Sequence, residues 1–265
     1  MEKFKKTSEF EQKKQFFVKR PLPTSHSLLP KATKSAIAIL LSTNRKIMQL
    51  FSDLTERRQL LFAQAAALRT RHFCLVLEDF FDPGNISAVI RTSEVYGLQN
   101  VHIIEEDNPY KINKAILKGS LKWLNAFIYK KRAACMESLK NKGYAIAVAN
   151  THATKTILEL DLSKPTAFYL GAEFRGNHCD TLKNADCNFI LPQYGLTESL
   201  NVSVAAGVLL TYLDVYMQSK GRENFSLPKE EQEALILEWR NRHLFGSDKF
   251  SPVIRVANME RCVVF

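Results

Sequence analysis

The sequence has no apolar run approaching the roughly 18 residues needed to cross a bilayer. Its first residues alternate Lys with Glu and Gln and lack the apolar stretch of a secretory signal. A cytoplasmic protein is therefore expected, with no membrane partner. Cysteine is sparse. Cys74, Cys135, Cys179, Cys187 and Cys262 are odd in number and include no C-x-x-C pair. They read as reduced thiols, mostly core filler, and neither a disulfide framework nor a metal site is expected. No Walker sequence and no G-x-G-x-x-G occurs, which disfavours nucleotide and nicotinamide enzymes. Internal repeats and low-complexity tracts are also missing. What remains is ordinary: 265 residues, 46% hydrophobic and 24% charged, enough for one large domain with extensions.

The charge is uneven. Of a net +10, residues 1–50 contribute +8, with eleven Lys/Arg against Glu2, Glu9 and Glu11. Residues 111–132 contribute +7 through Lys111, Lys114, Lys118, Lys122, Lys130, Lys131 and Arg132, with no acid. Removing these two zones leaves −5 for the rest. A slightly acidic body with two basic zones suits a polyanion, nucleic acid being the commonest, although Lys-rich segments also serve simply as solvated surface.

Four regions are expected along the chain. Residues 1–45 form a basic, turn-rich extension of the kind that stays mobile. Residues 46–70 carry a helix, over about Ile47–Leu68, with Leu50, Phe51, Leu54, Leu61, Ala65 and Leu68 on one face. Residues 71–217 alternate strands and helices. Strands are expected at Phe73–Glu78, Val101–Ile104, Tyr144–Ala149, Thr166–Leu170 and Asn188–Leu191. Helices are expected from Ile86, with Asn85 as its cap and Gly97 as its stop, near 133–142 and near 199–217. Such alternation makes a mostly parallel α/β sheet. Residues 218–265 form a tail whose helix opens at Pro228 and ends with Arg240, Arg242 and His243, as the macrodipole favours. Strand-like pieces in Val253–Phe265 have no assignable partner.

Three segments place polar residues where an α/β sheet presents ligands, beyond the carboxyl ends of strands. In Asp82–Arg91, Asn85 is a cap or a site residue. Arg91 above the small Ser87 and Ala88 is a surface charge or an open phosphate ligand. In Tyr169–Gly176, Gly171 and Glu173 form either a turn or a place where backbone approaches a cofactor. In Ile190–Gly207, Ser199 and Asn201 cap a helix that Val202, Val204, Val208, Leu209 and Leu210 mark as buried on most sides, and they also stand where a pocket would be lined.

Order and spacing together are more specific. Asn85 to Arg91 reads N-x-x-x-x-x-R, Gly171 to Gly176 reads G-x-E-x-x-G, and Pro192 to Ala205 reads P-x-x-G…S-L-N-V-S-V-A. On these motifs, over residues 71–217, the chain resembles the SpoU family of ribose 2′-O-methyltransferases, in the SPOUT (α/β-knot) class. Arg57-Arg58 in the preceding helix, Gly119-Ser-x-x-Trp123 and the Leu-Pro-x-Glu-Glu-Gln232 helix opening make it most similar to the tRNA (guanosine-18) members. The resemblance implies a parallel sheet with a C-terminal deep trefoil knot, a homodimer, and S-adenosylmethionine held around Ala149, Asn150, Gly171, Leu191 and Leu200. It implies a catalytic set of Asn85, Arg91, Glu173, Ser199 and Asn201. RNA contacts are expected from Arg57, Arg58 and the seven basic residues of 111–132. The segment Leu124–Lys131 and the mixed C-terminal tail depart from the tRNA type, which moves the expected RNA grip toward residues 1–50 and 111–132.

The activity expected from this resemblance is methylation of a tRNA ribose, at guanosine 18 of the D-loop. An rRNA ribose methyltransferase is the nearer alternative, and a catalytically inactive knotted RNA-binding protein is the alternative from another class. The family assigns Arg91 the role of base, yet an arginine side chain is effectively never deprotonated in a protein. Holding a phosphate or stabilising a developing alkoxide is the chemically easier role.

Overall fold

The computed structural model describes residues 53–246 and 251–256. The expected N-terminal extension, Leu50, Phe51 and Cys262 lie outside them. A compact unit begins at Leu54. Its first helix, α1, spans Glu56–Ala67 and starts later than the expected helix because the Thr55 side chain accepts from Arg58 N and caps it.

Strand β1 (Phe73–Glu78) leads into α2 (Pro83–Val95) and β2 (Asn100–Ile104). A short helix, α3 (Lys114–Leu117), precedes β3 (Asn125–Tyr129) and α4 (Arg132–Asn141). Then follow β4 (Ala145–Ala149), β5 (Thr166–Leu170), α5 (Cys179–Asn184) and β6 (Cys187–Phe189). Helices α6 (Val202–Ser219) and α7 (Lys229–Phe245) and strand β7 (Val253–Val256) complete the described chain. The strands form one sheet in the order β6-β4-β5-β1-β2-β3-β7, and every pairing is parallel.

Parallel strands covered on both faces must be apolar on both faces. In β1, Phe73, Leu75 and Leu77 join the core under α2 and α6, while Cys74 and Val76 join the core under α4. The described cysteines are free thiols. Cys74 and Cys135 fill the core as expected, whereas Cys179 is exposed.

Three elements differ from the sequence expectations. Strand β3 falls in Leu124–Lys131, where no strand is expected; four of its five residues are buried and Phe127 is half-buried. Strand β7, expected without a partner, pairs with β3. Helix α6 is not buried on most sides, since Val204, Val208 and Val215 are all exposed. In α7, Arg242 stands in the last turn as expected. It is 2% exposed and donates to the carbonyls of Lys122 and Leu124 and to Asn125 Oδ1, satisfying backbone ahead of β3.

One buried group makes acid stability testable. His102 on β2 is fully buried and stacks on Phe127 and Tyr129. Burial, with Lys142 adding, pushes its pKa down to about 3. A histidine neutral in the fold but protonated when unfolded costs stability as pH drops below its free value, about 1.4 kcal/mol per pH unit. Urea unfolding is expected to show a loss of about 2 kcal/mol between pH 6.5 and 5, much of which His102→Phe removes. An equal loss in both proteins would refute the assignment.

Candidate active site

The turn after β1 sets the geometry. Asp82 caps α2 by accepting from Gly84 N, and Pro83 occupies the first helical turn, so the helix starts three residues before the expected Ile86. Asn85 is therefore not the cap. Its side chain is free for another task.

That task is visible in the hydrogen bonds. Asn85 Nδ2 donates to Glu173 Oε1 at 2.9 Å, and Asn85 Oδ1 accepts from Asn201 Nδ2 at 3.2 Å. Asn201 caps α6, its Oδ1 accepting from Ser203 N and Val204 N. Glu173 also accepts from the backbone of Phe81 (2.9 Å) and Asp82 (3.2 Å). The chain of bonds has one direction, from helix amides through two side-chain amides to a carboxylate, so neither asparagine can flip without opposing like atoms. Burial alone pushes the Glu173 carboxyl up. The bonds from Asn85, Phe81 and Asp82 outweigh it and hold the group below the usual glutamate range. Glu173 is thus an ionised anchor at neutral pH, poorly suited to proton transfer.

The other two expected catalytic residues stand apart from this chain. Arg91 is exposed, two turns further along α2, and its Nη1 donates to Ile116 O at 3.3 Å. Ser199 is exposed in the segment before α6. Ser87 is not a small platform beneath Arg91. It is buried, and its Oγ accepts from Asn113 N at 2.7 Å, tying the start of α3 to α2.

Four of the five expected cofactor residues gather at the carboxyl ends of three adjacent strands: Ala149 as the last residue of β4 with Asn150 after it, Gly171 after β5 and Leu191 after β6, while Leu200 directly precedes the cap of α6. Asn150 N donates to Phe189 O. Leu191 is buried and Leu200 is exposed. Gly171 has no room for a side chain, because a Cβ there would lie 2.1 Å from Asn177 N and from Gly176 C. The close approach is to its own hairpin, closed by two bonds between Ala172 and Gly176. Asn177, which sequence reasoning missed, donates from Nδ2 to Ala149 O, and its Oδ1 is buried without a partner among the described residues. Backbone groups at three strand ends, an unpaired amide oxygen able to accept a hydrogen bond and two leucines make a lining that fits a nucleoside carrying a short polar chain.

The basic zone divides. Lys111, Lys114, Lys118 and Lys122 are exposed, and Lys114 and Lys118 flank the turn that holds Arg91. Lys130 and Lys131 are exposed but pair with Glu105 (3.1 Å) and Glu106 (3.0 Å). Arg132 is only 15% exposed and faces four carboxylates, so it is poorly placed as an RNA ligand. Arg57 is exposed, whereas Arg58 lies over the Phe62 ring at 5.8 Å. Acids distant in sequence, at 78–79 and 105–107, neutralise what looks like an uninterrupted basic run.

Comparison with known proteins bears on this arrangement. The sequence model of the SpoU rRNA methylase family matches residues 72–211, slightly more than half of the chain and all three motifs. The chain belongs to this family. It is similar to the tRNA (guanosine(18)-2'-O)-methyltransferase of Borreliella burgdorferi, 32% identical over 196 residues, covering 74% of this chain and 89% of that one. The TrmH/SpoU tRNA-modifying enzyme of A. aeolicus superposes with a TM-score of 0.65 at 26% identity, covering 71% of this chain and 98% of that one. A SpoU methyltransferase of Streptomyces viridochromogenes, solved with AdoMet, shares the fold with a TM-score of 0.52 at 20% identity, covering 58% of this chain and 63% of that one.

Proposed function

We propose that this SpoU chain transfers a methyl group from S-adenosylmethionine to the 2′-hydroxyl of a ribose in tRNA, with guanosine 18 of the D-loop as the position. The observation that carries the reading is the directed chain Asn201–Asn85–Glu173, which joins one residue from each of the three motifs into a single fixed array. Relatives that align over most of their own length and are named for this reaction support the substrate class. The exposed Lys114 and Lys118 at the two ends of α3, beside Arg91, support an RNA partner.

S-adenosylmethionine supplies an electrophilic methyl group on a positively charged sulfur. Ala149, Asn150, Gly171 and Leu191 would hold it at the strand ends, with Leu200 and Ser199 contributed by the segment before α6. Glu173 fixes the Asn85 amide, and Asn201 fixes it from the other side, so the walls of the site are set before substrate arrives. Arg91 stays charged. Its role is to grip a phosphate or stabilise negative charge on the ribose oxygen, while water or phosphate accepts the proton.

A C-terminal trefoil knot is part of this reading, as the family resemblance implies. A homodimer is supported by the exposed apolar face of α6, with Val204 at 51%, Val208 at 46% and Val215 at 59%. Among the described residues no helix is long and apolar enough to cross a membrane, and a cytoplasmic location fits a tRNA-directed enzyme.

The test is transfer of labelled methyl from S-adenosylmethionine to unmodified tRNA and rRNA transcripts, with nuclease mapping. Label on one 2′-O-methylguanosine of the D-loop supports the reading; label on rRNA alone replaces the substrate. No transfer with tight RNA binding would leave a binding protein. Arg91→Ala is expected to lower kcat by about 100-fold, the scale of losing one stabiliser of transition-state charge, with cofactor affinity nearly unchanged. Full turnover in that variant would remove Arg91 from the site.

A further inference from the structure

The densest cluster of charge outside the motif residues lies beyond the carboxyl ends of β1, β2 and β3. Arg132, at the first position of α4, donates from Nε to Glu78 Oε1 at 3.1 Å and from Nη2 to Asp79 Oδ2 at 2.6 Å. Nη2 also meets the Asp107 carboxylate, and Nη1 lies 3.3 Å from Glu106 Oε2. The Arg132 backbone N donates to that same Glu106 oxygen at 2.8 Å. Four carboxylates therefore converge on one guanidinium, with Lys131 assisting only at Glu106.

Two of these carboxylates lead directly to the motif loops. Asp79 takes φ +52°, a conformation that few side chains hold without support. Its Oδ1 accepts from Asp107 N (2.7 Å) and Asn108 N (3.3 Å), and its carbonyl accepts from Asn108 Nδ2 (2.8 Å). Two and three residues on are Phe81 and Asp82, whose N–H groups hold Glu173. Glu78, 1% exposed, accepts on Oε1 from His178 N (2.9 Å) and Thr181 Oγ1 (3.1 Å), immediately after the Gly171–Gly176 hairpin. One side chain thus braces the turn that leads to Asn85 and the exit of the hairpin that carries Glu173. Without it, four negative groups repel one another beneath that turn.

We propose that Arg132 is a positioning residue for methyl transfer: through Asp79 and Glu78 it fixes the relative placement of the Asn85 turn and the Glu173 hairpin. The inference rests on the catalytic reading of those two residues. It replaces RNA contact as the expected role of Arg132.

Arg132→Gln is expected to lower kcat by about 10-fold or more, as misplacement near a reacting centre does, with KM for tRNA within a factor of two. The salt dependence of tRNA binding should keep its slope, whereas loss of a phosphate contact would reduce the slope by about one. Amide exchange at Phe81, Asp82 and His178 should accelerate. Asp79→Asn, which tolerates positive φ and keeps an acceptor for Asp107 and Asn108 while removing the charge toward Arg132, should reproduce the loss in kcat. The double variant should lose no more than either single one. Full kcat in Asp79→Asn, additive losses, or unchanged kcat with a shallower salt slope would each overturn the proposal. If Arg132→Gln does not fold, Arg132→Lys and Asp79→Asn decide it by the same readouts. If the wild-type protein transfers no methyl to RNA, the catalytic reading fails, while unchanged or accelerated exchange at the three amides still decides the bracing.

Discussion

Replacing Glu173 by glutamine is expected to slow methyl transfer by about 100-fold, because a shift of about 1 Å near the reacting centre is enough for that. The physical reason is a mismatch of donors. Glu173 presents only acceptors, and its three partners are all donors: Asn85 Nδ2, Phe81 N and Asp82 N. A glutamine amide must turn its NH₂ toward at least one of them. Leaving a part-buried donor unpaired costs about 1–3 kcal/mol, which either opens the Phe81 turn or rotates Asn85 away from Asn201. The two outcomes differ in what they report. Rotation of Asn85 lowers kcat with cofactor affinity intact, whereas an opened turn also speeds amide exchange at Phe81. A glutamine variant with wild-type kcat would mean the chain of bonds is structural only.

The ionisation state of Glu173 adds a sign. Its pKa is held below the free glutamate value, so the carboxylate keeps its charge as pH falls through the usual range. The stability it contributes is present above the unfolded-state pKa and is lost only as pH drops through the lowered folded value. The pH–rate profile should therefore carry no limb from this group near neutrality. A limb between pH 6 and 8 that disappears in the Gln variant would give Glu173 a proton-transfer role.

How far the sequence discloses such a site depends on whether the determining contacts are local. Strands β1 and β5 follow from continuous apolar runs, because burial on both faces is written residue by residue. Gly97, at φ +80°, stops α2 as its position demands. Strand β3 is less legible because Asn125–Tyr129 follows a Lys-rich stretch and has no flanking turn signal. The partner of β7 is beyond any local pattern, since the pairing joins segments over a hundred residues apart. In the site, residue types and spacing single out Asn85, Glu173 and Asn201, but not that Asp82 rather than Asn85 caps α2. Both residues suit a cap, and only the fold shows which carboxylate or amide meets the helix. Charge is the least legible property. Lys130, Lys131 and Arg132 look like free cations in a run without acids, and their counter-charges arrive from other strand ends. Asn177 gave no signal at all, because what marks it is an unpaired oxygen.

The two glycines of the G-x-E-x-x-G segment look interchangeable as sources of flexibility, yet the structure assigns them different requirements and unequal costs. At Gly171 a Cβ would sit 2.1 Å from the backbone of Gly176 and Asn177, and the hairpin cannot withdraw without breaking the two bonds between Ala172 and Gly176. At Gly176 a Cβ meets nothing within 4 Å, but φ is +66°. Gly176→Ala should therefore cost the left-handed penalty alone, about 1–2 kcal/mol. Gly171→Ala should cost about 3–5 kcal/mol, among the larger effects single substitutions produce. That corresponds to roughly a 10 °C fall in Tm for a domain of this size. Because the displaced segment carries Glu173 and adjoins Asn177, the Gly171 variant should also lose affinity for S-adenosylmethionine at temperatures where it remains folded, while the Gly176 variant keeps most of it. Thermal melts and cofactor titration of both variants provide the comparison. Equal, small losses at the two positions would mean that the hairpin yields to the added methyl group, and that the close approach at Gly171 does not set the shape of the site.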